Sequence, residues 1–232
     1  MEASGRTNKR VAQGQRSRGR LLRAATRRFA ERGYSATSVD DVCRDAGVVK
    51  TALYWHFDSK EGLLAAVLEE TATAWIQGVV DTVFQTGDPR ERLRRAIDGM
   101  RDLIENRPAL LRILHAMTLE RTRVSRATRA VLLRVSDRAR AALVDGLAEA
   151  IGTRPAGLEG VAAIVLAAVD GIFLQHQLRQ DPAELDRLFA ELERAIVFLV
   201  STVVGEAHRA AASASRDEDG AQEKSKAEGE AS

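Results

Sequence analysis

The eight residues from Lys50 to Phe57, KTALYWHF, concentrate more varied side-chain chemistry than any other stretch of the 232-residue chain. Leu53 and Phe57 stand four apart and fit the inward stripe of a short helix, which leaves Lys50, Thr51, Tyr54, Trp55 and His56 on the rest of its circumference. That outward set offers cations, hydroxyls and stacking rings, the groups that grip phosphates and read base edges. Phe, Trp and Tyr make up 4% of the chain, yet rings occupy four consecutive positions from Tyr54 to Phe57. Core packing would space them three or four apart, so the cluster points to a surface that meets nucleic acid.

Such a helix must be held at a fixed angle, and the flanking sequence supplies the support. Val39, Val42, Cys43 and Ala46 give a preceding helix one buried face. Thr37 opens it, and Asp40 three residues on completes a capping box. Gly47 provides backbone freedom for a sharp turn after Ala46, and Val48 packs into the angle between the two helices. The pattern predicts a helix-turn-helix whose second helix, Lys50 to His56, enters DNA. Behind it, from Ser17 to Gly33, residues Leu21, Leu22, Ala25, Phe29 and Ala30 keep helical spacing and complete a three-helix domain. After it, Asp58 or Ser59 caps a helix with Leu63, Leu64, Val67 and Leu68 as its stripe. Lys60 falls at the positive end of that helix, beside the DNA backbone. The helix is predicted to continue past Trp75 to about Gln85 and to bridge to the rest of the chain.

Over roughly residues 16–68 the sequence resembles the TetR family of one-component transcriptional regulators. The family's pattern stands here as Gly47, Val48, Leu53, Tyr54, His56, Phe57, Lys60 and Leu63, preceded by Phe29, Gly33, Tyr34, Thr37 and Val39. Val49 departs from it, since the family often has a small polar residue there; capping of the recognition helix then falls to phosphate contact or to Thr51. The resemblance implies that Lys50, Thr51 and Ala52 face base edges. Thr37, Tyr54, His56 and Lys60 would hold phosphates, with Ser38 beside them, and Trp55 could do either. It also implies a homodimeric repressor of a palindromic operator, released when a small, largely apolar effector shifts the bridging helix and the spacing of the two recognition helices.

The composition, 45% hydrophobic and 29% charged, suits a globular protein, and the abundance of Ala, Leu, Arg and Glu favours an all-α fold. Residues 1–60 carry 13 Lys and Arg against 6 Asp and Glu, whereas the remainder carries 22 against 27. Positive charge is thus concentrated where the DNA-binding motif lies. Residues 1–15 read as a flexible basic arm, either touching DNA phosphates or simply solvated. The domains expected are this arm, a DNA-binding domain over 16–62, a helical ligand-binding and dimerisation domain over 63–208, and a disordered tail over 209–232. Cys43, the lone cysteine, excludes an intramolecular disulfide and reads as a small buried residue more readily than as a redox sensor. No leader pattern is visible and no run approaches the roughly 18–20 apolar residues of a membrane span, so a cytoplasmic location is expected.

Five further helices are predicted between Asp88 and Val204, delimited by Pro89, Pro108, Pro155 and Pro182. The last two carry more apolar surface than one subunit's interior needs, and the family resemblance implies pairing with a second copy in a four-helix bundle. Between the middle helices, Met100, Ile104, Leu114, His115, Met117, Thr118, Val169, Asp170 and Phe173 are candidate effector-lining residues. His115 reads more readily as a satisfied core or rim histidine than as a ligand-binding group. Asp170, in a nearly wholly apolar helix, would need a partner if buried. No phosphate loop, nucleophile elbow or zinc spacing is present, so no cofactor, metal site or catalytic residue is expected. A DNA-binding regulator without an effector, a helical interaction module and an enzyme are the alternatives.

Overall fold

Prolines and glycines punctuate the chain into helices that follow the predicted order closely. The computed structural model describes the backbone of residues 2–83, 87–119 and 125–230, with side chains described within 11–78, 87–119 and 125–213. Its helices are α1 (Glu2–Arg32), α2 (Val39–Ala46), α3 (Lys50–Phe57), α4 (Lys60–Val83), α5 (Pro89–Asn106), α6 (Ala109–Leu119), α7 (Arg126–Ile151), α8 (Leu158–Arg179) and α9 (Pro182–Glu230). No strand occurs among the described residues, so the fold is all-α, as expected. The predicted end of the bridging helix near Gln85 lies outside the described residues.

Two compact units emerge. The first comprises residues 1–82 and 98–142, and the second 83–97 and 143–232. This division differs from a boundary at residue 62, because α4 runs unbroken from the recognition motif and α6 packs on α1. In the first unit Leu21, Ala25, Phe29, Leu53, Leu63, Leu64 and Leu68 are almost wholly buried, and each such Leu or Phe side chain contributes about 1.5–3 kcal/mol relative to exposure. In the second, α8 packs on α9 through Val161, Val165, Val169, Phe173, Leu185, Phe189 and Ile196.

The ends of the chain differ from expectation. The segment read as a flexible arm continues α1 back to Glu2, and the segment read as a disordered tail continues α9 to Glu230. Both are rich in Ala, Arg, Gln, Glu and Lys, whose intrinsic preference extends a helix already nucleated by packing. Helix α8, 22 residues long, is also long and apolar enough by length and composition to cross a membrane, contrary to the expectation that no segment approaches that limit. Its inward residues belong to the core of the second unit, and core helices satisfy the same length and composition.

Candidate nucleic-acid interface

The turn geometry is set first. Gly47 adopts a left-handed conformation (φ 59°) at the end of α2, and its N–H closes the helix on the Arg44 carbonyl, a conformation that costs an L side chain energy and glycine little. At the other end Ser38 is the cap: its hydroxyl accepts the Asp41 N–H at 3.0 Å, while Asp41 Oδ2 accepts the Ser38 N–H at 3.3 Å. The capping box therefore sits one residue later than the predicted Thr37 and Asp40. Thr37 instead is 2% exposed and donates its hydroxyl to the Gly33 carbonyl at 2.8 Å. Its side chain, expected at a phosphate, is buried and closes the loop after α1.

Helix α3 then sorts its residues by direction. Leu53 and Phe57 face the core. Ala52 and His56 are half-buried. Lys50 and Tyr54, and Thr51 and Trp55, form two i,i+4 pairs on the outer side, with Trp55 77% exposed and Tyr54 43% exposed. Val49 caps α3 without a side-chain hydrogen bond and is itself exposed, so the N-terminal amides of this helix face outward, where an anion would satisfy them. Lys50 Nζ lies 3.0 Å from Asp40 Oδ1 on α2, and that carboxylate raises the ammonium's pKa. The lysine is charged and pre-positioned.

Contacts from α1 fix α2, α3 and α4 in turn. Arg28 clasps Asp45 with two short bonds (2.6 and 2.7 Å), which lowers the Asp45 carboxyl to about 2. The Arg18 guanidinium lies 5.5 Å from the Phe57 ring centroid and pairs with Glu70. Ser17 Oγ and His56 Nε2 share a hydrogen bond of 2.9 Å. Burial, with a smaller push from Arg18, lowers the His56 pKa, and the ring, expected to hold a phosphate, is engaged with α1. The sequence marked Ser17 only as a helix start and Asp40 only as a capping residue, because the partners they meet here are set by helix packing.

Lys60 opens α4 with its ammonium 4.2 Å from the centroid of the Tyr34 ring, an arrangement that orients a cation while leaving it charged. Its neighbour Glu61 points the other way: its carboxylate accepts hydrogen bonds from Ser125 Oγ and from Thr128 Oγ1, the latter at 2.6 Å. Those bonds, Ser125 first, lower the Glu61 pKa. One helical turn thus joins the DNA-facing end to the start of α7. A groove of about 670 Å³ between α1 and α3, lined among others by Gln13, Ser17, Arg20, Thr51 and Trp55, completes the face.

The candidate effector residues fall in both units. Met100, Ile104 and Met117 are buried in the first, with Leu114 and His115 half-buried, while Val169 and Phe173 are buried in the second. Asp170 and Thr118 are exposed, so the expected cost of burying Asp170 does not arise. His115 donates Nδ1–H to the Leu111 carbonyl at 2.7 Å, which favours its reading as a satisfied rim residue. Cys43 is 7% exposed, and burial raises its thiol pKa, which suits the packing role. No cluster of His, Cys, Asp and Glu able to hold a metal occurs among the described residues.

An exposed, pre-oriented helix following a tight αL turn on a three-helix support defines a helix-turn-helix DNA-binding domain. Residues 21–67 match the family model described as bacterial regulatory proteins, tetR family. The HTH-type transcriptional activator FasR of Mycolicibacterium smegmatis is 43% identical over 89 residues, 38% of this chain and 41% of that protein. The HTH-type transcriptional repressor KstR2 of Mycobacterium tuberculosis is 37% identical over 92 residues, 40% and 46% of the two chains. The chain therefore spans less than half the length of these curated relatives. A TetR transcriptional regulator from Legionella pneumophila has the same fold, with a TM-score of 0.66 at 18% identity over 76% of this chain and 95% of that one.

Proposed function

We propose that the protein is a cytoplasmic, homodimeric transcriptional regulator that represses from a palindromic operator and is released by a small, largely apolar effector bound in its C-terminal helices. The observation that carries the reading is the outer side of α3, where Lys50, Thr51, Tyr54 and Trp55 stand exposed on a helix fixed from behind by Leu53 and Phe57. Lys50, Thr51 and Ala52 read base edges. Ser38, Tyr54 and Lys60 hold phosphates, and Trp55 packs against sugar or base. Lys50 exchanges Asp40 for DNA on binding.

Dimerisation is supported by the second unit. On α8, Gly160, Ile164, Ala167, Gly171, Leu174 and Leu178 recur at alternating four- and three-residue steps, all exposed, which is the seam of a helix that packs against another. On α9, Val197 and Phe198 are exposed as well. Two recognition helices about 34–36 Å apart would then meet successive major grooves. Release is supported by the bonds from Glu61 to Ser125 and Thr128, which tie the first turn of α4 to α7. A change in α7 would move the helix that carries Lys60.

Selection of duplexes from random DNA at two salt concentrations tests the reading. A palindrome with half-sites about ten base pairs apart and steep salt dependence is the expected result; recovery of no preferred sequence would sink it. Lys60→Ala should weaken all sequences alike and lower the salt slope by about one per subunit, whereas Lys50→Ala should alter which sequence is preferred.

A further inference from the structure

A second concavity lies in the first unit, lined by neither the recognition helix nor any of the candidate effector residues. It is a groove of about 590 Å³ between α1, α4 and the first turn of α6, within the roughly 300–1,000 Å³ range of small-molecule sites. Its floor is apolar, formed by Leu22, Ala30, Val67, Ala74, Pro108 and Ala109. Thr26 and Thr71 also line it, but their hydroxyls donate to the carbonyls of Leu22 and Val67 at 2.9 and 2.7 Å. With those oxygens satisfied inside their own helices, the two threonines add methyl surface.

The rim has the opposite character. Arg23, Arg27, Arg107 and Arg112 line it against Glu31 and Glu70, and Glu70 is already paired with Arg18, which lies outside the groove. Arg27 and Arg107 each direct one contact to an aspartate, at 3.3 Å to Asp45 and 3.0 Å to Asp102. A guanidinium has five N–H donors, so each keeps donors for another anion. The Asp45 carboxylate is in any case held more closely by Arg28. The groove thus combines an apolar trough with a cationic edge on three elements of one unit.

We propose that this groove binds a free single-chain amphiphile with an anionic headgroup, the chain lying over Leu22 and Val67 and the headgroup meeting Arg23 and Arg107. The apolar floor accounts for the chain and the excess of guanidinium for the sign of the head, since a cationic head would be repelled. Because α1 supports the helix-turn-helix and α6 belongs to the helices behind it, such a ligand would bridge the two.

Calorimetric titration of the full-length protein with dodecanoate, below its micelle-forming concentration, decides the matter. The expected result is saturation at one site per chain, loss of that binding in Ala74→Trp, which fills the trough from an exposed position on α4, and about tenfold weakening in the Arg23→Glu/Arg107→Glu double variant. Dodecyltrimethylammonium, with the same chain and the opposite charge, should not saturate, and neither should acetate, which lacks the chain. Should Ala74→Trp fail to fold by circular dichroism, the double arginine variant decides alone. Binding that survives these substitutions, equal binding of the cationic amphiphile, or no saturable binding overturns the proposal. None of these outcomes depends on operator binding or on an effector among the residues considered above.

Discussion

Helix α3 and the pair α8 and α9 both hold out side chains that water does not favour, but in different company. On α3 the exposed rings of Tyr54 and Trp55 stand beside Lys50 and Thr51, a mixed surface suited to a polyanion with stackable bases. On α8 and α9 the exposed Ile164, Leu174, Leu178 and Phe198 are interleaved with Gly160, Ala167 and Gly171, a surface of aliphatic knobs and small gaps. Added Cβ atoms at Gly160 and Gly171 would meet nothing within 4 Å, so both gaps are open. Charge and hydroxyls suit the first face to DNA, and their scarcity along the other suits it to a second helix.

Breaking the second face should have the largest effect. Phe198→Asp places a carboxylate where a partner helix is expected, at a cost of about 2–3 kcal/mol per copy. A two-fold interface counts that change twice, so dimer dissociation should rise by about a thousandfold to ten-thousandfold, read by sedimentation equilibrium, and operator affinity should fall with it. A variant that remains dimeric at the same concentration would show that α8 and α9 are not the interface.

The first face depends on the joint between α3 and α4, which tolerates no added atom. A Cβ at Gly62 would lie 2.0 Å from the Phe57 carbonyl oxygen, and that atom is backbone at the end of the recognition helix. Gly62→Ala should therefore destabilise the protein by about 3 kcal/mol, seen as a lowered thermal midpoint, and should weaken operator binding. Unchanged melting would mean that the joint can open at little cost, and that α3 is held by α1 alone.

Helix existence and most helix ends were legible because their signals are local: Pro89, Pro108 and Pro182 start helices, and Gly47 ends one. What was misread depended on competition between neighbours or on distant partners. Thr37 with Asp40 and Ser38 with Asp41 carry the same capping signature, and the choice fell to Ser38 because the Thr37 hydroxyl is drawn to the Gly33 carbonyl. His56 looked like a phosphate ligand until packing placed it against Ser17, 39 residues away. Glu61 carried no sequence signal for Thr128, 67 residues on. Asp170 was judged by the apolar residues around it in sequence, whereas helical phase puts it outside.

The smallest expected effect concerns what holds the first face from behind. Asp45 sits in the grip of Arg28, with Arg27 at 3.3 Å, and its carboxyl is lowered from 3.8 to about 2. A carboxyl with a depressed folded-state pKa stabilises the fold above its unfolded value, and that contribution disappears as pH falls through the folded value. The loss therefore belongs between about pH 4 and pH 2. Both side chains are partly open to solvent, so the pair contributes modestly. Asp45→Asn should lower the thermal midpoint slightly at pH 7 and flatten the acid limb of the melting curve below pH 4, leaving α8 and α9 and the dimer untouched. If the acid limb keeps its wild-type slope, the acid sensitivity resides in other carboxylates, with Asp41, lowered by its bonds to Ser38 at the α2 cap, the next to replace.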